Sequence, residues 1–214
     1  MSAPVNIALP WFEAGCSVVP IKRDGTKAAA GNWKRLQQER MTRREVEGTW
    51  GRNHTPPGVG VVCGLVSGNL EMLELENGYT TATVLEEIEF AAERYGVGAL
   101  WRSLVSGAGY IEWTPSNGLH LLYRVSDHPV PGNTKIAQAS DPGNRGLLKT
   151  RAETRGEGGY VIVAPTPGAC HPSGEAWEAL YGCTPADIPV SRASAPHLME
   201  QLGLGDALAH AARD

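Results

Sequence analysis

The chain has 214 residues, an apolar fraction of 42 % and a formal net charge of −4. Its length and composition predict a globular protein with a sizeable core and exclude a low-complexity chain. Because the net charge is negative, binding to nucleic acid would have to rest on a local excess of basic residues. No apolar stretch reaches the about 18 residues of a membrane span, so we expect no membrane partner.

In the first half of the chain the residue pattern alternates between helix and strand. In order, we predict a helix over residues 3–14, a strand over 16–21, a short helix after Thr42, strands over 58–63 and 70–76, and an amphipathic helix over 81–95 that ends at Gly96. Gly15 is a typical residue after a helix C-terminus, and Thr42 with Glu45 matches a capping box.

In the second half the pattern is dominated by strands and glycine-rich turns. We predict a hairpin over residues 110–125, a second hairpin formed by 147–155 and 160–165, and a final helix near 194–211. The fold class is therefore α+β, with a mainly antiparallel central sheet flanked by helices.

Charged residues are distributed unevenly. Between residues 20 and 55 basic residues outnumber acidic ones; the basic residues are Lys22, Arg23, Lys27, Lys34, Arg35, Arg40, Arg43, Arg44 and Arg52. Between residues 71 and 93 every charged residue is acidic. We predict a basic first lobe that contacts the backbone of a template strand, followed by a segment that binds cations. A solvated charged surface is the alternative interpretation of either pattern.

Two carboxylates fall on one face of the predicted strand over residues 70–76. Residues two apart in a strand share a face, so Glu74 and Glu76 point together while Leu73 and Leu75 point into the core. Like charges repel at this spacing, and a divalent cation such as Mg²⁺ or Mn²⁺ would compensate for the repulsion. The alternative is the wet face of an edge strand.

The same alternation places His120 and Arg124 on one face of the first hairpin. The preceding turn, 116–118, has backbone amides that could approach an anion closely, so this group suits a triphosphate. A histidine hydrogen-bonded for structural reasons is the alternative.

A lone carboxylate lies among basic residues in the strand predicted over 147–155. Lys149, Arg151, Glu153 and Arg155 share one face there. Either they form an intrastrand salt-bridge ladder, or Glu153 is a third metal ligand beside cations that bind phosphate.

The four cysteines contain no C-x-x-C pair, so we expect a reducing cytoplasm and no structural zinc. Cys170, His171 and Cys183 could supply part of a metal site, but a fourth ligand is not evident.

In their order and spacing these blocks resemble the primase-polymerase domain of the archaeo-eukaryotic primase superfamily, which occurs at the N-terminus of replication proteins of phages, plasmids and mobile elements. The matching blocks are residues 15–20, 25–27 with Trp33, 58–64, the acidic pair Glu74 and Glu76, the histidine motif 116–120 with Tyr123 and Arg124, and the third acidic motif 153–166. The family commonly has aspartate at the first acidic position, whereas Glu74 has one more methylene, which moves its carboxylate outward.

The resemblance implies an RRM-like catalytic core that performs template-directed nucleotidyl transfer, as a DNA primase and DNA polymerase. It implies a two-metal site for Mg²⁺ or Mn²⁺ at Glu74, Glu76 and Glu153, with His120 as a further catalytic residue. The implied partners are a single-stranded DNA template and dNTP or NTP substrates. Candidate nucleotide-binding residues are Ser116, Asn117, His120, Arg155, Lys149, Arg124 and Lys27.

We expect residues 1–190 to form the catalytic domain, with an α/β lobe over 1–57 and the catalytic sheet over 58–190. Residues 191–214 are expected to form a C-terminal helix that starts a linker. No P-loop pattern occurs, so a replicative helicase domain would lie elsewhere in a longer chain or act in trans. The expected location is the cytoplasm of a bacterium or of a phage-infected host.

Two other functions fit the same residues. One is a non-catalytic module that binds single-stranded DNA, for which the glutamate at position 74 is the best support. The other is a metal-dependent nuclease of a replication initiator, since three carboxylates and a histidine also serve hydrolysis. A nuclease of that class would usually need a tyrosine nucleophile or a further histidine beside the metal.

Overall fold

The computed structural model describes residues 6–51, 55–78, 80–94, 98–105, 109–140 and 146–191. The strands are β1 (Ser17–Ile21), β2 (Gly58–Val62), β3 (Leu70–Leu75), β4 (Tyr110–Trp113), β5 (Leu119–Val125), β6 (Thr134–Ser140), β7 (Leu148–Arg155), β8 (Tyr160–Ile162), β9 (Glu178–Ala179) and β10 (Val190–Ser191). The α-helices are α1 (Leu9–Glu13), α2 (Arg43–Val46), α3 (Ala82–Arg94) and α4 (Gly98–Val105). Short 3₁₀ turns lie at Lys34–Gln37, Leu65–Ser67, Gly168–Cys170, Leu180–Gly182 and Pro185–Asp187, and a π-helical turn at Glu47–Gly51.

The strands form two sheets. Three strands pair in the order β1-β2-β8, and six others in the order β6-β7-β3-β5-β4-β9. The short β10 pairs in parallel with β5, and every other pairing is antiparallel. This confirms the predicted α+β fold with a mainly antiparallel sheet.

Three apolar cores hold the layers together. Leu73, Leu75 and Leu121 on one face of the larger sheet pack against α3 and α4. The opposite face contributes Leu70, Met72 and Leu122 to a core shared with β1 and β2. A third core covers the outer face of the smaller sheet. Because successive side chains of a strand point to opposite faces, β3 can serve two cores and still direct Glu74 to the side where the sheets face each other.

Most of the predicted elements are present. The capping box of Thr42 and Glu45 forms at α2, and α3 and the hairpin of β4 and β5 match their predicted positions. The first helix is shorter than predicted, since α1 begins at Leu9 and has Pro10 in its first turn. Strand β6 and helix α4 were not predicted. Gly96 and the final helix near 194–211 lie outside the described residues.

The predicted hairpin between residues 147–155 and 160–165 is wrong. Strand β7 pairs with β3 and β6, whereas β8 pairs with β2, so residues 156–159 carry the chain from one sheet to the other. The crossing is anchored by the Glu157 amide, which donates to Pro131 O at 2.8 Å, and by the Leu65 amide, which donates to the Glu157 carboxylate at 2.9 Å. A Cβ at Gly156 would clash with Pro131 O, so this glycine permits a close approach rather than a hairpin turn.

The division into a lobe over 1–57 and a sheet over 58–190 stays a prediction. In the structure, β1 pairs with β2 across that boundary. No helix in the described part of the chain has the length and apolar character needed to cross a lipid bilayer.

We predict that Gly58→Ala will lower the free energy of unfolding by about 1–3 kcal/mol, because overpacking has that cost. An added Cβ would lie 2.6 Å from Thr166 Cγ2 and 2.7 Å from Cys170 Sγ. Thr166 cannot move away freely, since its hydroxyl accepts from the Val59 amide at 2.8 Å and donates to Val59 O at 2.9 Å. Urea denaturation measures the change. Gly132→Ala is the control, because a Cβ there has nothing within 4 Å; equal stability of the two variants would contradict the packing.

Candidate active site

The strand register aligns four ionisable side chains in a row across the larger sheet. Glu74 of β3 lies opposite Glu153 of β7 on one side and opposite His120 of β5 on the other. His120 in turn lies opposite Glu112 of β4. Directly opposed residues of neighbouring strands project to the same face, so all four point toward the space between the sheets.

Glu112, the residue at the end of this row, is fully buried. His120 Nδ1 donates to one of its carboxylate oxygens at 2.7 Å. The other oxygen accepts from the Tyr110 hydroxyl at 2.9 Å and from the Ala164 amide at 2.7 Å. Three donors from separate segments therefore fix this carboxylate, which in turn fixes the imidazole ring of His120.

Sequence analysis did not single out Glu112. The available signal was a charged residue between apolar neighbours in a predicted strand, and the five residues that connect β4 to β5 place it opposite His120. A buried carboxylate directly opposite a histidine is expected to be hydrogen-bonded to it, because a buried charge needs a partner.

The other ring nitrogen of His120, Nε2, lies 3.7 Å from Glu74 Oε1. Burial acts to lower the pKa of His120, but the hydrogen bonds and negative charges of Glu112 and Glu74 outweigh it and raise the pKa to about 9. His120 is therefore a cation at neutral pH, with its second N–H available toward the carboxylates and the cavity.

The three predicted metal ligands are close enough to affect one another. Burial acts to raise the pKa of Glu74, but His120 outweighs it and the pKa is lowered. Burial raises the pKa of Glu76, and the charge of Glu74 adds to the rise. Burial also raises the pKa of Glu153, with Arg155 opposing the rise and Glu74 adding to it. The repulsion expected from the sequence is thus present in the fold.

These carboxylates do not yet converge on one point. Glu153 accepts from Arg155 Nη2 at 2.5 Å, and Glu74 faces His120. Among the described residues, no three acidic, histidine or cysteine side chains are close enough together to hold a metal ion. Like charges repel, and this repulsion favours the separate positions of these carboxylates.

A cavity of about 490 Å³ opens beside the row, with a different character on each wall. The wall from the larger sheet includes Glu74, Glu76, His120 and Arg155. A second group of lining residues, which we call the aromatic wall, contains Trp33, Tyr160, His171 and Trp177, together with Lys27. Trp33 and Tyr160 meet edge to face at 4.8 Å between ring centroids, as do His171 and Trp177 at 5.5 Å.

The predicted nucleotide-binding residues fall into two groups. Ser116, His120, Arg155 and Lys27 line the cavity. Lys149 lies outside its lining but close enough that its charge opposes the rise in the pKa of Glu76. Asn117 also lies outside the lining; its backbone has φ of 62° and its carbonyl accepts from the Thr80 hydroxyl at 3.3 Å.

The nucleotide-binding role of Arg124 stays a prediction, and its guanidinium takes part in backbone contacts outside the cavity. Arg124 Nη2 donates to Ala14 O at 2.6 Å and its Nε donates to Ser67 O at 3.2 Å. It shares a face with His120, as predicted, but four residues along a strand place it roughly 13 Å away. Its guanidinium joins the end of α1 to the turn before β3.

His171 on the aromatic wall was considered only as a possible zinc ligand. Its Nε2 lies 3.5 Å from the Ser116 hydroxyl, across the mouth of the cavity. The cysteines considered with it lie elsewhere: Cys170 is buried in the outer core, and Cys183 Sγ donates to Ile111 O at 3.2 Å. The sequence signal for His171 was its position five residues after the third acidic motif, which ends at residue 166. A residue so close in sequence to that motif could be expected near the same cavity.

Some cations of the predicted basic first lobe take part in local contacts. Arg35 pairs with Glu45 and Arg43 with Glu13. Arg40 donates to the carbonyls of Cys16 and Phe12. Arg52 lies outside the described residues. Template binding by this lobe stays a prediction.

One comparison with known proteins gives a match. The family model described as "Bifunctional DNA primase/polymerase, N-terminal" matches residues 8–191, most of the chain. No curated protein matches the sequence.

We predict that Glu112→Ala will lower the free energy of unfolding by about 3 kcal/mol or more, since it leaves three buried donors without an acceptor. Urea denaturation measures the change. Glu178→Ala is the matched control because Glu178 is an exposed acid on the neighbouring strand β9, and its loss should cost less than about 0.5 kcal/mol. A similar small loss for both variants would contradict the role of Glu112 as an anchor.

We also predict that His120 of the metal-free protein will titrate near pH 9, and His171 below its ordinary 6.5, because burial and the charge of Lys27 lower the pKa of His171. Since the folded pKa of His120 is raised, its protonation stabilises the fold fully below pH 6.5, and that contribution is lost as the pH rises through about 9. Histidine ring NMR signals followed against pH test both values. A His120 that titrates at or below pH 6.5 would contradict the arrangement.

Proposed function

The chain belongs to the bifunctional DNA primase/polymerase family, and from this premise we propose that it catalyses template-directed nucleotidyl transfer at Glu74, Glu76 and Glu153. Family membership implies DNA and nucleotide substrates. The observation that carries the residue assignment is the register, which pairs Glu74 with Glu153 on one side and with His120 on the other, while Glu74, Glu76 and His120 line the cavity.

The three carboxylates fit divalent cations by their chemistry. They supply hard oxygen ligands of the kind that Mg²⁺ and Mn²⁺ prefer. Burial raises the pKa of Glu76 and Glu153, and the charge of Glu74 adds to the rise in both; a cation would neutralise this repulsion. When bound, two such ions would activate the attacking 3′ hydroxyl and neutralise charge on the leaving pyrophosphate.

The remaining polar groups of the larger sheet suit the triphosphate. His120 presents Nε2–H as a cation, fixed from behind by Glu112. Arg155 lies in the same wall and can exchange its bond to Glu153 for phosphate oxygens. Ser116 lies at the mouth of the cavity and adds a hydroxyl donor. Together they would bind a polyanion at the side of the carboxylates nearer the smaller sheet.

The aromatic wall suits the nucleoside part of the same substrate. Trp33, Tyr160 and Trp177 offer apolar ring surface in the same cavity as the charged side chains. A cavity lined by His120, Arg155 and Lys27 as well as by aromatic rings matches a molecule with an anionic end and a planar end. The aromatic wall is also the reason to prefer a nucleotide over an inorganic polyphosphate.

Further properties of the assembled enzyme are proposals that rest on the family alone. They are a helicase in the same full-length chain or in trans, and action in the cytoplasm of a bacterium or of a phage-infected host.

We predict that Glu76→Ala will reduce nucleotide incorporation on a primed template by roughly 100-fold or more, as expected for the loss of a group that organises charge in the transition state. The assay follows pyrophosphate release with template, dNTPs and Mn²⁺ or Mg²⁺. Glu178→Ala, with the same charge change on an exposed strand, should retain the activity of the unsubstituted protein.

The same assay separates the rival functions. A protein that binds single-stranded DNA but releases no pyrophosphate would be a non-catalytic binding module. Strand cleavage without dNTPs would indicate a nuclease. Full incorporation by pure, folded Glu76→Ala would contradict the assignment of the carboxylates.

A further inference from the structure

Strands β6 and β7 extend beyond the rest of the larger sheet. Strand β3 ends at Leu75, which pairs with Ala152 of β7. Strand β7 begins four residues earlier, and that part pairs with β6 up to Ser140 opposite Leu148. We call this two-stranded extension, with the rest of β6 and β7, the arm. It leaves the sheet at the end where Glu76 lies, because the Glu76 amide donates to Arg151 O at 2.9 Å.

The arm carries four basic residues, Lys135, Lys149, Arg151 and Arg155, and one acid, Glu153. The register of its two strands is irregular between Lys135 and Gln138, and we call the surface formed by Lys135 and Lys149 the basic face of the arm. Lys135 lies directly opposite Glu153, and both lysines are exposed. The positive charge of Lys135 acts against the rise in the pKa of Glu153, and that of Lys149 against the rise in the pKa of Glu76. Both lysines are thus near the carboxylates, on a protein whose formal net charge is −4.

The cations of β7 lie on two sides of the carboxylates. Arg155, opposite Met72, lines the cavity beside His120. Lys149 lies six residues away along the strand, which corresponds to roughly 20 Å. Glu153 and its neighbours Glu74 and Glu76 fall between these ends. The site therefore has a cationic region on each side of its acidic centre.

Phosphoryl transfer assigns different ligands to the two regions. The attacking and leaving oxygens must lie roughly in line on opposite sides of the reacting phosphorus. If Arg155 and His120 hold the triphosphate, the leaving pyrophosphate occupies their side. The attacking hydroxyl must then approach from the side of Lys149.

We propose that the basic face of the arm binds the sugar-phosphate backbone of the strand that carries the attacking 3′ hydroxyl. The inference rests on the proposed function. It assigns this contact to a surface that adjoins the carboxylates and not to the first lobe, where Arg35, Arg40 and Arg43 take part in local contacts. The contact is with phosphates, so it is independent of base sequence and sensitive to salt.

The test removes positive charge from the arm and, separately, negative charge from the primer strand of the DNA. The arm variant is Lys135→Gln with Lys149→Gln, and the control is Lys34→Gln with Arg44→Gln, two exposed cations of the first lobe. Binding of a labelled primed template is measured by fluorescence anisotropy over a salt series, without dNTP or divalent metal. The second change replaces the 3′-terminal phosphates of the primer by uncharged methylphosphonates, with the same replacement in the template strand as control. Circular dichroism melting confirms that both variants fold.

The arm variant should reduce the slope of log affinity against log salt by roughly 1.4–1.8, the amount expected for two phosphate contacts. The control pair should leave the slope unchanged. Methylphosphonates in the primer should weaken binding by the unsubstituted protein. They should have little further effect on the arm variant, because its substitutions have already removed the contacts with those phosphates. Methylphosphonates in the template should weaken both proteins equally.

An unchanged slope in the arm variant overturns the proposal. So does coupling to the template, by which we mean that methylphosphonates in the template, and not those in the primer, lose their effect in the arm variant. Nucleotide incorporation by the unsubstituted protein is assayed separately. Coupling to the primer in a protein that incorporates no nucleotide would overturn the proposed function and support the binding surface. Incorporation without coupling would overturn the binding surface alone.

Discussion

The hydrogen bond from His120 Nδ1 to Glu112, 2.7 Å long and fully buried, constrains the rest of the site. Glu112 also accepts from Tyr110 on its own strand and from the Ala164 amide, which follows the last strand of the smaller sheet. One carboxylate therefore connects two strands of the larger sheet to the segment that closes the smaller one. Since each donor would be unsatisfied without it, the two sheets and the imidazole ring are positioned together.

The residues to which we assign catalytic roles are arranged around the imidazole ring of His120. His120 Nε2 faces Glu74, and the register then brings Glu153 to the far side of Glu74. Three carboxylates and one cationic histidine so close together would be unfavourable in an apolar core, but Glu74, Glu76 and His120 line a cavity where cations and phosphates can enter. The aromatic residues and Arg155 line the same cavity, and the arm adjoins it through Glu153.

The sequence predicted the local features well because they depend on alternation and on turn chemistry. Glu74 and Glu76, the turn before His120 and the capping box at Thr42 are all of this kind. It failed where contacts link distant residues. The Gly156–Gly159 turn has the composition of a hairpin, but contacts with Pro131 and Leu65 make it a crossing between sheets. Arg124 and the arginines of the first lobe looked available for phosphate until their carbonyl and carboxylate partners were known. Glu112 could be found only once the hairpin register was fixed.

The central claim, that Glu74, Glu76 and Glu153 hold a divalent cation together, is tested most directly by paramagnetic broadening of histidine ring signals with Mn²⁺. His120 adjoins Glu74, whereas His128 lies beside Asn69, roughly 16 Å along β3 from Glu74. Added in less than stoichiometric amount, Mn²⁺ should broaden His120 before His128, and Glu76→Gln or Glu153→Gln should remove the difference. Equal broadening of both histidines, or selective broadening of His120 that survives both substitutions, would contradict the account.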